Sequence, residues 1–340
     1  MTEFLRACRR EPTAFTPIWL MRQAGRYQPE YRALRERFSF VEMCKQPDVA
    51  AEVTLLPVQQ LGVDAAIIFA DILLILEPLG IGFEFTKDDG PRIDKPVRNA
   101  ADVDAVASAI DPEASLGYVL QAIRNVRSGL PSHVPLIGFA GAPFTLASYV
   151  IEGGGSRDYM HTKALMYGDS GAWNALMEKL RVALAAYLNA QVRAGAQALQ
   201  VFDSWIGALS PSDYEHYVAP HMRKLFADLD KSVPVIHFGT GNPALYPLMK
   251  AAGGDVIGLD FRAELGPTWD ALGDTAVMGN LDPYSLLAPL PELQKRIKHV
   301  LDGARGRPGH IFNLGHGIFP QASVDRARAL VDYVHEQSAR

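Results

Sequence analysis

Cysteine is scarce: the 340 residues hold only Cys8 and Cys44. Two thiols in a chain this long give no disulfide framework and no cysteine-based metal cluster. His-Glu-x-x-His and Cys-x-x-Cys are both missing, and the nine histidines are scattered. No metal requirement is therefore expected. No apolar run approaches the ~18–20 residues of a membrane span. The opening Met-Thr-Glu-Phe-Leu-Arg has no signal-peptide hydrophobic core. A soluble, cytoplasmic protein without membrane contact is the expectation. Internal repeats, low-complexity tracts and a Pro/Ser/Gly-rich linker are also missing. A net charge of −5 argues against a general nucleic-acid binder.

What is present is a large apolar share, 48%, with 21% charged residues, enough for a sizeable core. Continuous apolar runs occur at Pro17–Met21, Ala65–Ala70, Pro135–Ala140, Ala198–Phe202, Pro234–Phe238, Val256–Leu259, Thr275–Gly279 and Ile311–Leu314. Runs without alternation suit strands buried on both faces of a parallel sheet. Between them, Pro47–Leu61, Glu113–Val126, Ala172–Ala194, Asp213–Leu229, Glu292–Leu301 and Ser323–Glu336 carry apolar residues at helical spacing. Residues 242–252 and 266–272 read as shorter helices. Gly80–Pro96, with Phe83-Glu84-Phe85 and Asp89-Gly90, reads instead as a β-hairpin excursion. Eight β–α alternations point to a single α/β domain, a (β/α)8 TIM barrel over residues 1–340. A doubly wound open sheet is the rival.

A barrel places its chemistry on the loops at the C-terminal strand ends. Every strand end here carries a distinctive polar residue: Arg22, Asp71, Tyr149 beyond Gly141-Ala142-Pro143, Asp203-Ser204-Trp205, His237, Asp260, Asn280 with Asp282, and His316. Arg22 and Arg26 surround Gly25 just after an apolar strand. Residues 1–40 hold eight Arg, no Lys and four Glu, a local positive excess. Two guanidiniums on a loop suit a polycarboxylate, because they bind carboxylate bidentately and stay charged. The plainer alternative is an i, i+4 pair on a solvated helix face.

Asp71 ends the run Ile67-Ile68-Phe69-Ala70. A carboxylate there needs partners, because an unpaired buried charge is expensive. It either pairs with a nearby arginine or points into the cavity to receive N–H groups or a cation. His316 lies between Gly315 and Gly317, which favours a pocket role through close ligand approach. Tyr149 and Ser204 are weaker candidates, since packing and capping explain such residues equally well. Ser204 has no nucleophile-elbow pattern. Gly239-Thr240-Gly241-Asn242-Pro243-Ala244 matches a dinucleotide fingerprint, but it falls in the fifth β–α unit. Pro243 also removes an N–H that pyrophosphate would use, so no nicotinamide cofactor is expected.

Seven stretches keep the order of a known family: PIWLMRQAGRYQPEY (17–31), FADIL (69–73), GFAGAPFT (138–145), SYVIEGG (148–154), FDSWIG (202–207), GNLDP (279–283) and NLGHG (313–317). Together they resemble the uroporphyrinogen decarboxylase family over nearly the whole chain. The resemblance implies a (β/α)8 barrel acting as a homodimer with facing clefts. It also implies decarboxylation of the four acetate arms of uroporphyrinogen III to coproporphyrinogen III, with no metal or prosthetic group. By the same match, Arg22, Gln23, Ala24, Gly25 and Arg26 line the substrate site, and Asp71, Tyr149, Ser204 and His316 complete it. Asp71 would stabilise a cationic pyrrole intermediate, and Arg22 and Arg26 would hold carboxylate arms. The proton donor stays open among Arg22, Arg26, Asp71 and His316. Two rivals follow. A corrinoid-dependent methyltransferase of related fold would need a zinc–thiolate site, yet residues 45–340 contain no Cys and the matching place reads His237-Phe238-Gly239. A non-catalytic tetrapyrrole carrier would keep the arginines but would not need Asp71.

Overall fold

The apolar runs become short strands, each followed by helix. The computed structural model describes residues 1–86 and 90–340. Strand β1 (Ala66–Ile67) precedes a hairpin of β2 (Phe83–Thr86) and β3 (Gly90–Ile93). Then come β4 (Leu136–Gly141), β5 (Ala198–Asp203), β6 (Val235–Gly239), β7 (Val256–Gly258), β8 (Ala276–Met278) and β9 (His310–Ile311). β1 and β4 to β9 form one parallel sheet in chain order. The hairpin is antiparallel, with Phe83 opposite Ile93. Asp89, expected in its turn, lies outside the described residues.

The expected first strand, Pro17–Met21, is reduced to a single parallel bridge, Ile18 with Phe312. Three of its four N–H groups have gone to side chains, and Trp19 N–H alone reaches a backbone carbonyl, that of Phe312 at 3.4 Å. Ile18 donates to Asp64 at 2.7 Å, Leu20 to Gln23 Oε1 at 3.1 Å and Met21 to Asn313 Oδ1 at 2.9 Å. Backbone bonds still join this segment to both neighbours: Phe312 N–H to Pro17 O at 2.8 Å, and Asp64 N–H to Ile18 O at 2.8 Å. The sheet therefore closes on itself. The fold is a (β/α)8 barrel in which residues 17–21 are the eighth stave.

Helix Pro47–Leu61 matches its expected span, started by Pro47 and stopped by Gly62 in the left-handed region at φ 71°. The expected helix Asp213–Leu229 is interrupted by a π turn at Tyr214–Val218. Pro220, one residue into the next helix, has no N–H to continue the regular pattern. Helix Ser170–Ala194 buries Trp173, Leu176, Leu180, Leu184 and Leu188. These buried side chains supply the non-directional drive that holds strand and helix layers together.

β1 and β4 part company at their C-terminal ends. Phe69 gives its N–H to Thr54 Oγ1 at 2.9 Å, and Phe139 bonds through N–H and C=O to the Gln191 amide at 2.8 and 2.9 Å. Ala66 and Ile68 are the β1 residues that bond to β4, so Phe139 is the next β4 residue due to face β1. With both its groups taken by Gln191 the pairing stops there, while the Phe69 N–H lies on the other edge of β1. Phe139, Phe202 and Phe238 from adjacent strands meet edge to face, with ring centroids 5.5 and 5.9 Å apart.

Candidate active site

Arg22 sits in a tight turn closed by Gln23 N–H to Leu20 O at 2.8 Å. Its φ is 60°, the left-handed region that arginine seldom adopts. Such strain persists only where surrounding contacts enforce it, and it concentrates at functional sites. Gln23 is buried and supplies the enforcement: its amide bonds to Leu20 N–H and to Ala65 O at 3.2 Å. Gly25 N–H goes to Gln28 Oε1 at 3.0 Å, and Ala24 packs against a small core of Tyr31, Leu34, Met43 and Val53. Regular helix begins only at Pro29, so the two arginines occupy a loop and not a helix face. Both are exposed, and among the described residues neither guanidinium has a hydrogen-bond or ion-pair partner.

Asp71 forms no ion pair among the described residues, although Arg22 is near enough to lower its pKa. Its Oδ1 accepts the Leu73 N–H at 2.8 Å. Among the described residues Oδ2 has no protein partner, and it is not sealed from solvent. Dense surrounding protein pushes the carboxyl up to about 6, against the pull of the Leu73 N–H and Arg22.

Tyr149 is half-buried on helix Pro143–Glu152 and packs edge-on to Trp205, with centroids 5.6 Å apart. Burial and then the Asp71 charge push its phenol up to about 12, which places the two side chains in one field. Ser204 is half-buried, and its carbonyl accepts the Thr240 hydroxyl at 2.6 Å.

His316 reaches solvent at the rim. Crowding protein, and after it the Arg22 charge, hold its imidazole below the usual value. The flanking glycines serve the protein itself. A Cβ on Gly317 would come within 2.5 Å of Arg22 Cδ, and one on Gly315 would collide with the Phe261 backbone. Close approach is required, but the chain's own groups make it. Arg22, Asp71, Tyr149 and His316 thus share one rim, linked by mutual electrostatic effects.

Other strand-end residues turn away from the opening. His237 is fully buried against Phe226 with Nδ1 3.3 Å from Gly253 O, and burial lowers its pKa to about 4. Asp203 is fully buried, accepts the Thr145 hydroxyl at 3.0 Å, and is pushed up to about 7 by burial. Asp260 receives Gly241 N–H at 3.0 Å. With Asn242 capping Ala244 N–H at 3.2 Å, that bond occupies the donors a dinucleotide phosphate would need. The fingerprint match is thus a loop-stitching device.

Comparison with known proteins decides the kinship. The family model described as uroporphyrinogen decarboxylase (URO-D) matches residues 1–337. The chain belongs to the uroporphyrinogen decarboxylase family. Relatives named uroporphyrinogen decarboxylase include one from Carboxydothermus hydrogenoformans, 55% identical and covering 99% of this chain and 96% of its own. Another, from Sorangium cellulosum, is 55% identical over 98% of this chain and 95% of its own. Among solved structures, a methyltransferase from Methanosarcina mazei superposes with a TM-score of 0.82 at 19% identity, covering 98% of each chain. That likeness concerns the fold alone. In this uroporphyrinogen decarboxylase family member, Cys8 and Cys44 are both buried and burial pushes their thiols up, which disfavours the thiolate a zinc site needs. Among the described residues no group of three His, Cys, Asp or Glu could hold a metal ion. No helix of the described residues is long and apolar enough to cross a membrane.

Trp205, one of the strand-end residues expected from the sequence, carries the Tyr149 contact and also meets Tyr159 at 6.0 Å. One feature of the family member's rim, Arg262, escaped the sequence reading. Arg262 stands on the rim near His316. The run Val256–Leu259 followed by Asp260 repeats the apolar-then-acid pattern of residues 67–71, and that repeat was the available signal for Arg262.

Proposed function

We propose that this chain decarboxylates uroporphyrinogen at its acetate arms, ending at coproporphyrinogen. The observation that carries the reading is the Asp71 carboxylate, one oxygen open to solvent and near Arg22, whose guanidinium has no partner among the described residues.

The chemistry follows from the charges. A proton added to a pyrrole ring carbon next to an acetate arm makes an iminium-like cation. The bond between the arm's methylene and its carboxylate then breaks, and its electron pair neutralises the ring. Carbon dioxide leaves. A second proton adds to the exocyclic carbon, the ring carbon releases the first, and a methyl group remains. Each turn consumes one proton and replaces one carboxylate by hydrogen. The pyrrole supplies its own electron sink. Asp71 accepts pyrrole N–H groups and stabilises the cation, which is electrostatic preorganisation with the sign opposite to an oxyanion hole. Arg22 and Arg26 hold the arms and offset their mutual repulsion. Tyr149, Ser204 and His316 orient the remaining arms. Gln23, whose amide is already bonded, and Gly25 shape the arginine loop and face substrate through backbone.

Two copies working together, in the cytoplasm, complete the reading. Tyr284 and Leu287 are each 60% exposed. Tyr284 stacks on Phe319 at 4.9 Å beside the His316 loop, an apolar patch that suits a subunit interface.

The deciding experiment incubates the protein with uroporphyrinogen under anaerobic, reducing conditions and separates the products by carboxylate number. Seven- to four-carboxylate products are expected. An unchanged octacarboxylate overturns the reading and favours a carrier.

A further inference from the structure

The rim has a third cation that the sequence motifs do not mark. Asp260, at the end of β7, is fully buried, and three donors hold its carboxylate. Gly241 N–H and Arg262 N–H approach at 3.0 and 2.8 Å, and Arg262 Nη1 at 2.6 Å. The Arg262 guanidinium also lies over the Phe261 ring, 4.4 Å from its centroid. One edge is therefore pinned from below and one face from the side. Yet 54% of the side chain is open to solvent. Five N–H donors are available to a guanidinium, and this anchoring leaves several for a ligand.

The position is informative. Gly315 packs onto the Phe261 backbone and Gly317 onto the Arg22 side chain. His316 between them consequently stands with Arg22 on one side and Phe261-Arg262 on the other. Both cations depress the His316 pKa, in keeping with that placement.

We propose that Arg262 is a substrate-binding residue that holds a carboxylate arm of the macrocycle across His316 from Arg22. The inference rests on the polycarboxylate substrate proposed above. A ring with eight carboxylates exceeds what Arg22 and Arg26 can grip, and arms on the far side need their own counter-charge. Asp260 acts as the positioning residue. A guanidinium already fixed in place loses less side-chain freedom on binding than a free one. The same ion pair could serve only to hold the loop. That role predicts altered stability with unaltered affinity, so the two are separable.

The test compares Arg262→Gln and Arg262→Lys with the unaltered chain. Binding is read by fluorescence titration with two stable oxidised porphyrins, octacarboxylate uroporphyrin and tetracarboxylate coproporphyrin. Steady-state decarboxylation is read alongside. The glutamine variant should weaken uroporphyrin binding roughly tenfold, the scale of one charge-assisted contact, and coproporphyrin binding less. Its KM should rise while kcat stays within about twofold, the signature of lost ground-state binding. The lysine variant should recover part of the affinity. Unchanged uroporphyrin binding overturns the proposal, as does a fall in kcat without a change in KM, or a lysine variant no better than glutamine. Asp260 keeps both backbone N–H bonds in either variant, so the fold should survive; melting curves check this. If the glutamine variant does not fold, the lysine variant against the unaltered chain decides, by a smaller loss or none. Intact porphyrin binding that weakens in Arg262→Gln, with no decarboxylation by the unaltered chain, overturns the catalytic reading and leaves this one standing.

Discussion

Asn313 accepts the Met21 N–H through Oδ1 at 2.9 Å, tying the arginine turn to the strand end that leads to His316. The same oxygen takes Leu314 N–H at 2.7 Å, and the residue is fully buried. Two regions of the rim are thereby kept in register by one side chain.

Asn313→Ala should destabilise the protein by about 2–3 kcal/mol, because two buried N–H groups lose their acceptor. Decarboxylation should fall more than the loss of folded protein explains, since the Arg22 turn is released. Urea denaturation and kcat/KM on the folded fraction check both statements.

Asp71→Asn keeps shape and removes charge. Turnover should drop by about 100-fold or more, the usual scale for removing a preorganised electrostatic partner. Stability at pH 8 should stay level or rise, because a carboxyl whose pKa is raised to about 6 is costly to keep ionised there. Near-normal turnover would defeat the cation-stabilising role.

The acid limb of kcat/KM should lie near pH 6, where Asp71 takes up its proton in the free enzyme. Arg22 lowers that pKa, so Arg22→Gln should move the limb to higher pH besides weakening binding. A pH–rate profile of both forms reads the shift; a limb that does not move removes Asp71 as its source.

Stability against pH should show two opposing contributions. His237 has an ordinary value of 6.5 and about 4 when folded, so the unfolded chain binds the proton first. Its contribution is lost as pH falls from about 6.5 to about 4. Asp203, raised from 3.8 to about 7, does the reverse: the folded state takes the proton first and gains as pH falls through 7. Asp203→Asn should therefore steepen acid destabilisation, and His237→Gln should flatten it. Thermal midpoints between pH 8 and 4 distinguish them.

The barrel was legible because its signal is spread over many residues. Apolar runs mark strands, and Pro47 with Gly62 marks one helix to the residue. Residues 17–21 were harder, because Asp64, Gln23 and Asn313 take N–H groups that apolar patterning assigns to a neighbouring strand. Arg22 and Asp71 stood out because a charge directly after an apolar run needs a reason. Asp203 shows the same pattern and turns outward, as does His237 within its run, since inward and outward faces alternate along a strand and one residue of register decides between them. Arg262 was missed because its role depends on Asp260 and on Gly315, neighbours that sequence distance conceals.

The eighth stave sets an order of assembly. Met21 and Asn313 are 292 residues apart in the chain. During synthesis the arginine turn emerges early and waits for a partner that is made almost last. Strands β1 and β4 to β8 can pair before then, but the seam cannot seal. The Arg22 turn is accordingly among the final parts of the molecule to be tied down, and a nascent chain halted before residue 313 holds the Asp71 region without the Asn313 anchor for that turn.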